Sequence, residues 1–479
     1  MAAVQQTPHD SELDVLFPSP SPPPTVFSPS RYPGASPDAV AALRYVMKDN
    51  YIKHHMFIND IQWHNHINYY VLGLYALGAS GSSIKQYYKR YNAIQRPAID
   101  PPEAITKENF IDHLGVEKFY VAYRTFFIKA IEERGISATL DEYIFSEKYN
   151  FEEGRDASTQ PKMLDRFIGG LTHGLIHVGH GTEFGIPGMV AEGLAMASVQ
   201  WLDKYTFLPP SLFKHASDGT SAMEETTTKL ASLFLNTKVS FQLGQPQINH
   251  AFSILAIIQH SEFPVMKQYY GYNDLMLEHS ATIWRYAEQW TIDLSQPGEI
   301  ERKMEEFIWT ATVLYATCSW SKHKSFVADF FLMHLVTSTL FLPSVLPYLP
   351  QSSQVMLLRS HFASSLSWWI ARGSPRPDIR GFLESTSSLS SEGKIANPFF
   401  NLIQSAMLQP DGHTLKIQRA FAHFSSLYGA RPKGYFKGTE LEGAEALDGT
   451  LFFTAAKLTD DYMIQGAKVW DREGASELD

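Results

Sequence analysis

Residues 171–181 read LTHGLIHVGHG and combine helical periodicity with histidines on one face. His173 and His177 stand four residues apart, so on a helix their side chains lie one above the other. Two imidazoles at this spacing can share one metal ion. Glycines crowd the pair at positions 169, 170, 174, 179 and 181, and each interior glycine destabilises a helix by about 1 kcal/mol. Their density indicates a close approach to the backbone. We predict that His173 and His177 bind a metal and are catalytic, the alternative being a polar face exposed to water.

Apolar residues recur at three- and four-residue steps on both sides of this stretch, as they do on amphipathic helices. One stripe runs from Ile58 to Leu77, a second from Leu164 to Leu175, and a third, entered through Pro187, covers 189–202. Helical patterns return at 228–243, 249–259, 275–291, 300–318, 327–341, 353–371, 397–407 and 413–427. Because no series of short alternating strands interrupts them, we predict an all-α fold with one large multi-helix domain, residues 38–479.

Residues 1–37 differ in composition from the rest of the chain. They are rich in proline and serine, as in FPSPSPPP at 17–24. Such a segment has too little apolar surface to offset the entropy lost on ordering. We predict a disordered or loosely docked N-terminal tail.

Composition narrows the class of function. The chain has 479 residues, of which 44% are hydrophobic and 19% charged, and its net charge is -10. This acidic balance argues against nucleic-acid and anionic-membrane partners, since both need basic surface. The apolar stretch from Phe330 to Leu349 contains His334 and two prolines, so we interpret it as core and not as a membrane span. Oligomeric state is left open.

Cysteine usage and the first residues indicate the compartment. Cys318 is the only cysteine, so no disulfide can form within the chain, which is typical of the reducing cytoplasm. The first residues lack the basic and apolar regions of a signal peptide. Cys318 itself lies in an apolar helical stretch, which favours a small buried hydrophobe over a nucleophile.

Motifs for several common chemistries are missing. The sequence has neither a GxxxxGK[ST] phosphate loop nor a GxSxG nucleophile elbow. The glycine cluster at 179–185 follows a predicted helix and has the wrong spacing for a dinucleotide site.

Further histidines lie in apolar helical stretches. His334 and His361 are predicted to be buried, either as metal ligands or as hydrogen-bonded core residues. His64 and His66 are predicted early in a helix, about 200° apart, so only one of them would reach a shared ion. Glu192 would orient a ligand histidine or form a helix-to-helix hydrogen bond. An all-histidine shell suits iron, copper or zinc.

Five segments together resemble the questin oxidase-like family of fungal oxidoreductases. They are WHNHINYYVLGLYALGAS (63–80), THGLIHVGHG (172–181), AEGLA (191–195), DFFLMHLVTS (329–338) and LLRSHFASSLSWWIARGSP (357–375). The resemblance implies oxidative ring cleavage of a polycyclic aromatic such as an anthraquinone in fungal polyketide metabolism. It also implies a non-haem Fe(II) centre that uses O2, with several histidines and in some members a carboxylated lysine.

Carried over by position, the resemblance implies the ligands His66 or His64, His173, His177 and His334. The lysine-bearing segment of the family aligns with the stretch holding His361, and Lys324 is a weaker candidate for the modified residue. An aromatic polyketide would stack on aromatic side chains; the candidates are Trp63, Tyr70, Phe184 and Trp368. Two alternatives stay open: a metal-free, NADPH-dependent Baeyer–Villiger-type oxidase, and a helical binding protein without catalysis.

Overall fold

The computed structural model describes residues 10–156, 158–202, 207–214, 249–261, 271–322, 325–389, 396–465 and 469–472. Within these ranges the chain is helical and forms only isolated β-bridges, which confirms the all-α prediction. The predicted helix at 228–243 and Lys324 lie outside the described residues. The helices are α1 Asp10–Leu16, α2 Pro37–Lys53, α3 Ile67–Ala76, α4 Gly81–Asn92, α5 Tyr120–Leu140, α6 Met163–Phe184, α7 Pro187–Val199, α8 Ser211–Lys214, α9 Ala251–His260, α10 Tyr272–Glu288, α11 Glu299–Cys318, α12 Phe330–Thr339, α13 Leu342–Val345, α14 Gln351–Ala371, α15 Ile379–Thr386, α16 Pro398–Leu408, α17 Gly412–Tyr428 and α18 Thr450–Gln465.

Helices α6 and α7 pack closely against each other at the centre of the domain. Their glycines explain the approach: a Cβ at Gly193 would lie 2.8 Å from the Val178 side chain. A Cβ at Gly179 would lie 2.3 Å from Phe341. Gly179 and Gly193 therefore allow neighbouring parts of the chain to pack closely against α6 and α7. Gly169 and Gly170 instead shape the backbone just before His173.

Helix α6 is broken just before His173. Gly170, Leu171 and Thr172 have φ values of 52°, 57° and 61°, all left-handed. The prediction of a continuous stripe from Leu164 to Leu175 is therefore wrong at this point. Glycine adopts this conformation without strain, whereas each non-glycine residue there costs about 1 kcal/mol or more.

The segment before α3 is not helical, which corrects the predicted helical stripe at residues 58–66. His64 forms an isolated antiparallel bridge with Phe57, and Gln62 has a φ of 58°. Helix α3 begins at Ile67, with His66 as its N-cap residue. The rings of His64 and His66 both stack on the ring of His173 in α6.

Residues 10–36 dock on the helical domain. Phe17 is completely buried, together with Leu13 and Leu16. Ser28 donates a hydrogen bond to the Pro343 carbonyl at 3.1 Å. The Arg31 guanidinium lies 4.9 Å from the centroid of the Phe184 ring. Burial of these few apolar and aromatic contacts offsets the ordering entropy of the proline-rich segment.

Two sequence interpretations concern the apolar interior. The segment Phe330–Tyr348 is long and apolar enough to cross a membrane, yet 83% of its apolar window is buried inside the domain, as for a core helix. Cys318 is buried, and its thiol donates to the Pro375 carbonyl at 3.2 Å. Burial raises the pKa of this thiol to about 12, so it stays protonated and serves as a small core residue.

Candidate active site

Four histidine rings from distant parts of the chain lie close together. His66 caps α3, His173 follows the break in α6, His334 lies in α12, and His413 lies at the start of α17. The ring centroids of neighbouring members are 5.0 Å (66 to 173), 5.3 Å (173 to 334), 5.3 Å (334 to 413) and 4.7 Å (413 to 66) apart. These residues form a closed circuit, termed here the four-histidine cluster.

Three members hold their Nδ1 atoms in hydrogen bonds to oxygen. His173 bonds to the Gly170 carbonyl at 2.6 Å, and His334 bonds to the Phe330 carbonyl at 2.7 Å. His413 bonds to a carboxylate oxygen of Asp411 at 3.1 Å. Since these oxygens only accept, each Nδ1 carries the proton and each neutral ring has a lone pair on Nε2. Metal-ligating histidines show this pattern.

The four Nε2 atoms differ in their hydrogen bonding. Those of His66 and His173 are hydrogen-bonded to each other at 2.9 Å. Those of His334 and His413 are buried and have no hydrogen-bond partner among the described residues. Because an unpartnered buried nitrogen is unfavourable, these two atoms are candidates for contact with a bound group.

The environment keeps these rings neutral. Burial, followed by the positive charge of Lys416, holds the pKa of His66 and of His334 well below the usual value. Burial and the neighbouring rings of His64 and His66 do the same to the pKa of His173. Neutral imidazole is the form that binds metal ions.

The spacing of the cluster fits cis ligands on one ion. With metal–nitrogen distances of about 2.1 Å, two cis nitrogens lie roughly 3 Å apart and their ring centroids roughly 4.5–5.5 Å apart. The 2.9 Å separation of His66 and His173 and the four centroid distances agree with these values. Among the described residues, however, no group of three or more His, Cys, Asp or Glu side chains is arranged so that it could hold a metal ion as it stands. A metal at this cluster is therefore a proposal, supported by the pairwise spacing and the donor state.

Lys416 adjoins the cluster, one turn beyond His413 on α17. Its side chain is buried, and its Nζ atom lacks a hydrogen-bond partner within the described part of the chain. The nitrogen lies 5.6 Å from the centroid of the Tyr69 ring. Burial lowers the pKa of Lys416 to about 7, against the opposing effect of Asp411. A large fraction of this amine is consequently neutral and nucleophilic near neutral pH.

His177 belongs to a neighbouring hydrogen-bond network. Its Nδ1 lies 3.0 Å from the Tyr69 hydroxyl, and its Nε2 lies 3.2 Å from a carboxylate oxygen of Glu192. Asn68 donates to the same oxygen at 3.2 Å. Both ring nitrogens of His177 are therefore engaged within this network, and the predicted role of His177 as a metal ligand stays a prediction. Glu192 makes the helix-to-helix hydrogen bond that the sequence left as one of two alternatives.

His361 and His64 lie outside the four-histidine cluster. The Nε2 of His361 bonds to the Ser338 hydroxyl at 2.8 Å, and its ring packs against Phe307 at 4.7 Å. This separate core contact places it outside the expected ligand set. His64 stacks on His173 at 3.8 Å, while its Nε2 donates to the Gln200 side chain at 3.2 Å. His66, and not His64, therefore turns a ring nitrogen to His173.

A cavity of about 570 Å³ opens beside the cluster. His66, His173 and His413 line it, and one wall is a stack in which Trp368 lies 3.9 Å from Tyr272 and 4.9 Å from Phe331. Further lining residues are Ile58, Ile61, Trp63, Tyr87, Tyr91, Ile168, Trp201, Phe207 and Phe330. A volume of this size with largely apolar walls suits a small aromatic ligand.

The aromatic residues predicted to bind substrate divide into two groups. Trp63 and Trp368 line the cavity. Tyr70 stacks on Tyr87 at 3.5 Å and donates to the Gln409 carbonyl, so it supports the wall from behind. Phe184 packs instead against Arg31 of the docked N-terminal segment. Tyr70 and Phe184 are therefore structural aromatics in this arrangement.

Asp165 gives the apolar cavity one buried carboxyl group. The residue is 7% exposed, and its Oδ1 has no hydrogen-bond partner among the described side chains and backbone. Burial raises the pKa of Asp165 to about 7, against the charges of Lys162 and Arg166. At neutral pH this carboxyl is partly protonated, so it can donate or accept a hydrogen bond to a ligand.

Sequence reasoning missed three site residues. His413 follows Asp411 and Gly412 at a predicted helix start, where an aspartate caps the helix and can also orient the histidine. Lys416 stands between Leu415 and Ile417 in an apolar stripe. Asp165 follows Leu164 in the stripe of α6. For Lys416 and Asp165 the available signal was a polar residue inside an apolar pattern, and for His413 it was the aspartate at the helix start.

Comparisons with known proteins place the chain in a family. The questin oxidase-like family model matches residues 63–421. A questin oxidase of Aspergillus terreus is 25% identical over 442 residues, which cover 90% of each chain. A questin oxidase of Aspergillus fumigatus is 28% identical over 354 residues, which cover 72% of this chain and 73% of that protein. Baeyer-Villiger oxidase AgnL3 of Paecilomyces divaricatus is 26% identical over 398 residues, which cover 80% of this chain and 78% of that one. The match confirms the resemblance seen in the sequence, and the chain belongs to the questin oxidase-like family.

Proposed function

We propose that this protein is an oxidoreductase of fungal polyketide metabolism that uses O2 at a non-haem Fe(II) centre to cleave or oxygenate a ring of a polycyclic aromatic such as an anthraquinone. The relatives named questin oxidase and Baeyer-Villiger oxidase support oxidation of a carbonyl-bearing aromatic. The four-histidine cluster at the wall of an aromatic cavity is the observation that carries the proposal.

The iron would be held by His66, His173, His334 and His413. Three of these rings are anchored through Nδ1. The Nε2 atoms of His334 and His413 have no hydrogen-bond partner among the described residues, and the metal would replace the hydrogen bond between the Nε2 atoms of His66 and His173. When bound, ferrous iron supplies a redox-active Lewis acid at which O2 and an oxygen of the substrate can meet. We leave His177 and His361 out of this ligand set because His177 bonds to Tyr69 and Glu192 and the Nε2 of His361 bonds to Ser338.

Lys416 is our candidate for the carboxylated lysine that the family resemblance implies. A neutral amine attacks CO2, forms a nitrogen–carbon bond and releases one proton, which leaves an anionic carbamate. The lowered pKa of Lys416, caused by burial, favours the neutral amine that this step needs. A carbamate would add an oxygen ligand beside an otherwise all-nitrogen set. We therefore propose Lys416 as the carboxylated residue, instead of Lys324 or a residue at the position of His361.

The protein's own residues would bind and orient the substrate. The stack of Tyr272, Trp368 and Phe331 presents a flat apolar wall to a planar ring system. Asp165 would hydrogen-bond a hydroxyl or carbonyl of the ring, since it is partly protonated near neutral pH. Filling the cavity with an aromatic ligand would expel water from the face of the four-histidine cluster.

A hydrogen-bond chain beside the cluster would keep the Tyr69 hydroxyl protonated. The chain runs from Tyr69 through His177 to Glu192. Burial, followed by the charge of Glu192, raises the pKa of Tyr69 well above its usual value, so its hydroxyl stays protonated and donates to His177. His177 in turn donates to Glu192. This chain fixes the ring of Tyr69, which lies 5.2 Å from His66 and 5.1 Å from His180.

Metal dependence of turnover tests the proposal. Protein purified with a chelator would be supplied anaerobically with Fe(II), Zn(II) or no metal, and then mixed with a reduced or hydroxylated anthraquinone and O2. We expect O2 consumption and ring-opened product with Fe(II) alone, and no further requirement for NADPH. Full turnover by demonstrably metal-free protein would overturn the proposal, whether or not NADPH was required. Tight aromatic binding without turnover under any condition would favour a binding protein instead.

A further inference from the structure

A short C-terminal strap, residues 469–472, closes one side of the cavity. Asp471 donates its backbone N–H to the Ala328 carbonyl and accepts from the Phe330 N–H, which forms a parallel bridge beside the start of α12. Trp470 donates its indole N–H to Asp411, the residue that orients His413. The backbone of Arg472 therefore has a fixed position next to the four-histidine cluster.

The guanidinium of Arg472 is held over two aromatic residues of the cavity. It lies 4.3 Å from the Trp63 ring and 4.6 Å from the Phe330 ring. Arg372 donates to the backbone carbonyl of Arg472 at 3.2 Å, so a second arginine fixes the strap without touching this guanidinium. Stacking on aromatic faces restrains the guanidinium and leaves its N–H edges available.

Arg472 has no carboxylate partner among the described residues that line the cavity. Of the described lining residues it is the sole lysine or arginine, and no described carboxylate forms an ion pair with it. Asp411 already accepts from His413, Thr414 and Trp470. The other acidic residue that lines the cavity is Asp165. It lies in α6, and no described β-bridge joins α6 to the strap. A stacked arginine in a largely apolar cavity is a site for an anion.

We propose that Arg472 binds an anionic oxygen, a carboxylate or an ionised phenol, on the planar aromatic substrate, and thereby orients that ring relative to the four-histidine cluster. This inference rests on the proposed function, because it assumes a planar aromatic occupant. It adds a substrate class, since the cavity would prefer acidic aromatics to neutral ones of the same shape. Arg472 lies beyond the residues that match the family model.

Equilibrium binding to a matched pair of probes tests this assignment without turnover. Anthraquinone-2-carboxylate and anthraquinone-2-carboxamide have nearly the same shape but differ in charge. Binding to the full chain would be followed by quenching of tryptophan fluorescence and by calorimetry. We expect the carboxylate to bind about tenfold more tightly, a preference that Arg472→Gln abolishes by weakening the carboxylate alone. Arg472→Lys would retain part of it.

Two further arms sharpen the result. The affinity for 2-hydroxyanthraquinone is measured at pH values below and above the pKa of its hydroxyl group. If Arg472→Gln weakens binding of its ionised form, the site accepts a phenolate; if it weakens only the carboxylate probe, the site is a carboxylate site. Arg380→Gln, which removes an exposed arginine paired with Glu445, is the matched control and should leave all affinities unchanged.

The outcomes separate the two claims. If both probes bind the wild-type protein equally, or if Arg472→Gln weakens both to the same extent, the anion assignment is wrong while the proposed function stands. If neither probe binds the wild-type protein, the aromatic substrate class fails as well, and both claims are overturned.

Discussion

The Nε2 atoms of His66 and His173 lie 2.9 Å apart although 107 residues separate them in the chain. Two irregular backbone segments create this contact. Residues 54–66 leave the helical pattern and present His66 at the start of α3, and the left-handed turn at Gly170–Thr172 turns His173 out of the axis of α6. Strained backbone often accumulates at functional sites, and here it brings two ring nitrogens to the spacing of cis metal ligands.

Replacement of His413 is expected to remove bound iron. His413→Ala deletes one of four Nε2 donors, so Fe(II) content after anaerobic reconstitution should fall at least tenfold and turnover should be lost. His361→Asn is the control, because His361 is a completely buried histidine that bonds to Ser338 outside the cluster. Colorimetric iron analysis and circular dichroism on both variants check metal content and folding. Equal iron loss in both folded variants would contradict the ligand assignment.

Carboxylation of Lys416 predicts a labelled carbamate. After incubation with 13C-labelled bicarbonate, the wild-type protein should show a carbamate carbon signal by NMR, and Lys416→Met should lack it. Because carbamate forms from the neutral amine, the signal should weaken as pH falls below about 7, the pKa to which burial lowers Lys416. Lys324→Met serves as the control and should keep the signal. Loss of the signal in Lys324→Met alone would reassign the modified residue.

Asp165 predicts a distinct pH dependence of stability. Its pKa is about 7 in the folded chain and 3.8 ordinarily, so between these values the folded state binds the extra proton. The stability contributed by this group therefore falls as pH rises from about 4 to 7. Asp165→Asn removes the ionisation and should stabilise the protein by roughly 2–4 kcal/mol at pH 8 but hardly at pH 4. Urea unfolding at both pH values measures this, and a constant difference would contradict the assignment.

The left-handed turn in α6 predicts unequal effects of two glycine substitutions. Gly170 and Gly135 both have positive φ, at 52° and 82°. A Cβ at Gly170 would lie 2.6 Å from the Gln200 side chain, whereas a Cβ at Gly135 would meet nothing within 4 Å. Gly135→Ala should cost about 1 kcal/mol, and Gly170→Ala about 2–3 kcal/mol with reduced iron binding. Denaturant melts and iron analysis compare them; equal values in both would mean that the turn does not position His173.

The helical framework could be predicted because a helix that buries one face carries apolar residues at the period of the helix. The pattern at 300–318 corresponds to α11, Glu299–Cys318, and the pattern at 413–427 to α17, Gly412–Tyr428. Each stripe faces one continuous core, so apolar spacing and capping residues suffice to locate such helices within a few positions. His334 was placed correctly in an apolar helix for the same reason.

The site was less predictable because it depends on departures from that period. Spacing of four residues paired His173 with His177, but the turn at Gly170–Thr172 and the partners Tyr69 and Glu192 separate their environments. His413 carried no neighbouring histidine in sequence and joins the cluster only through tertiary packing. Contacts across hundreds of residues leave no local pattern that single-sequence reasoning can use.

Anomalous scattering at the iron K edge from anaerobically grown, Fe(II)-loaded crystals would locate the metal. We expect one strong peak per chain, enclosed by the Nε2 atoms of His66, His173, His334 and His413. Catalytically active crystals with no iron peak among these four rings, or with the peak at His177 and Glu192, would contradict this expectation.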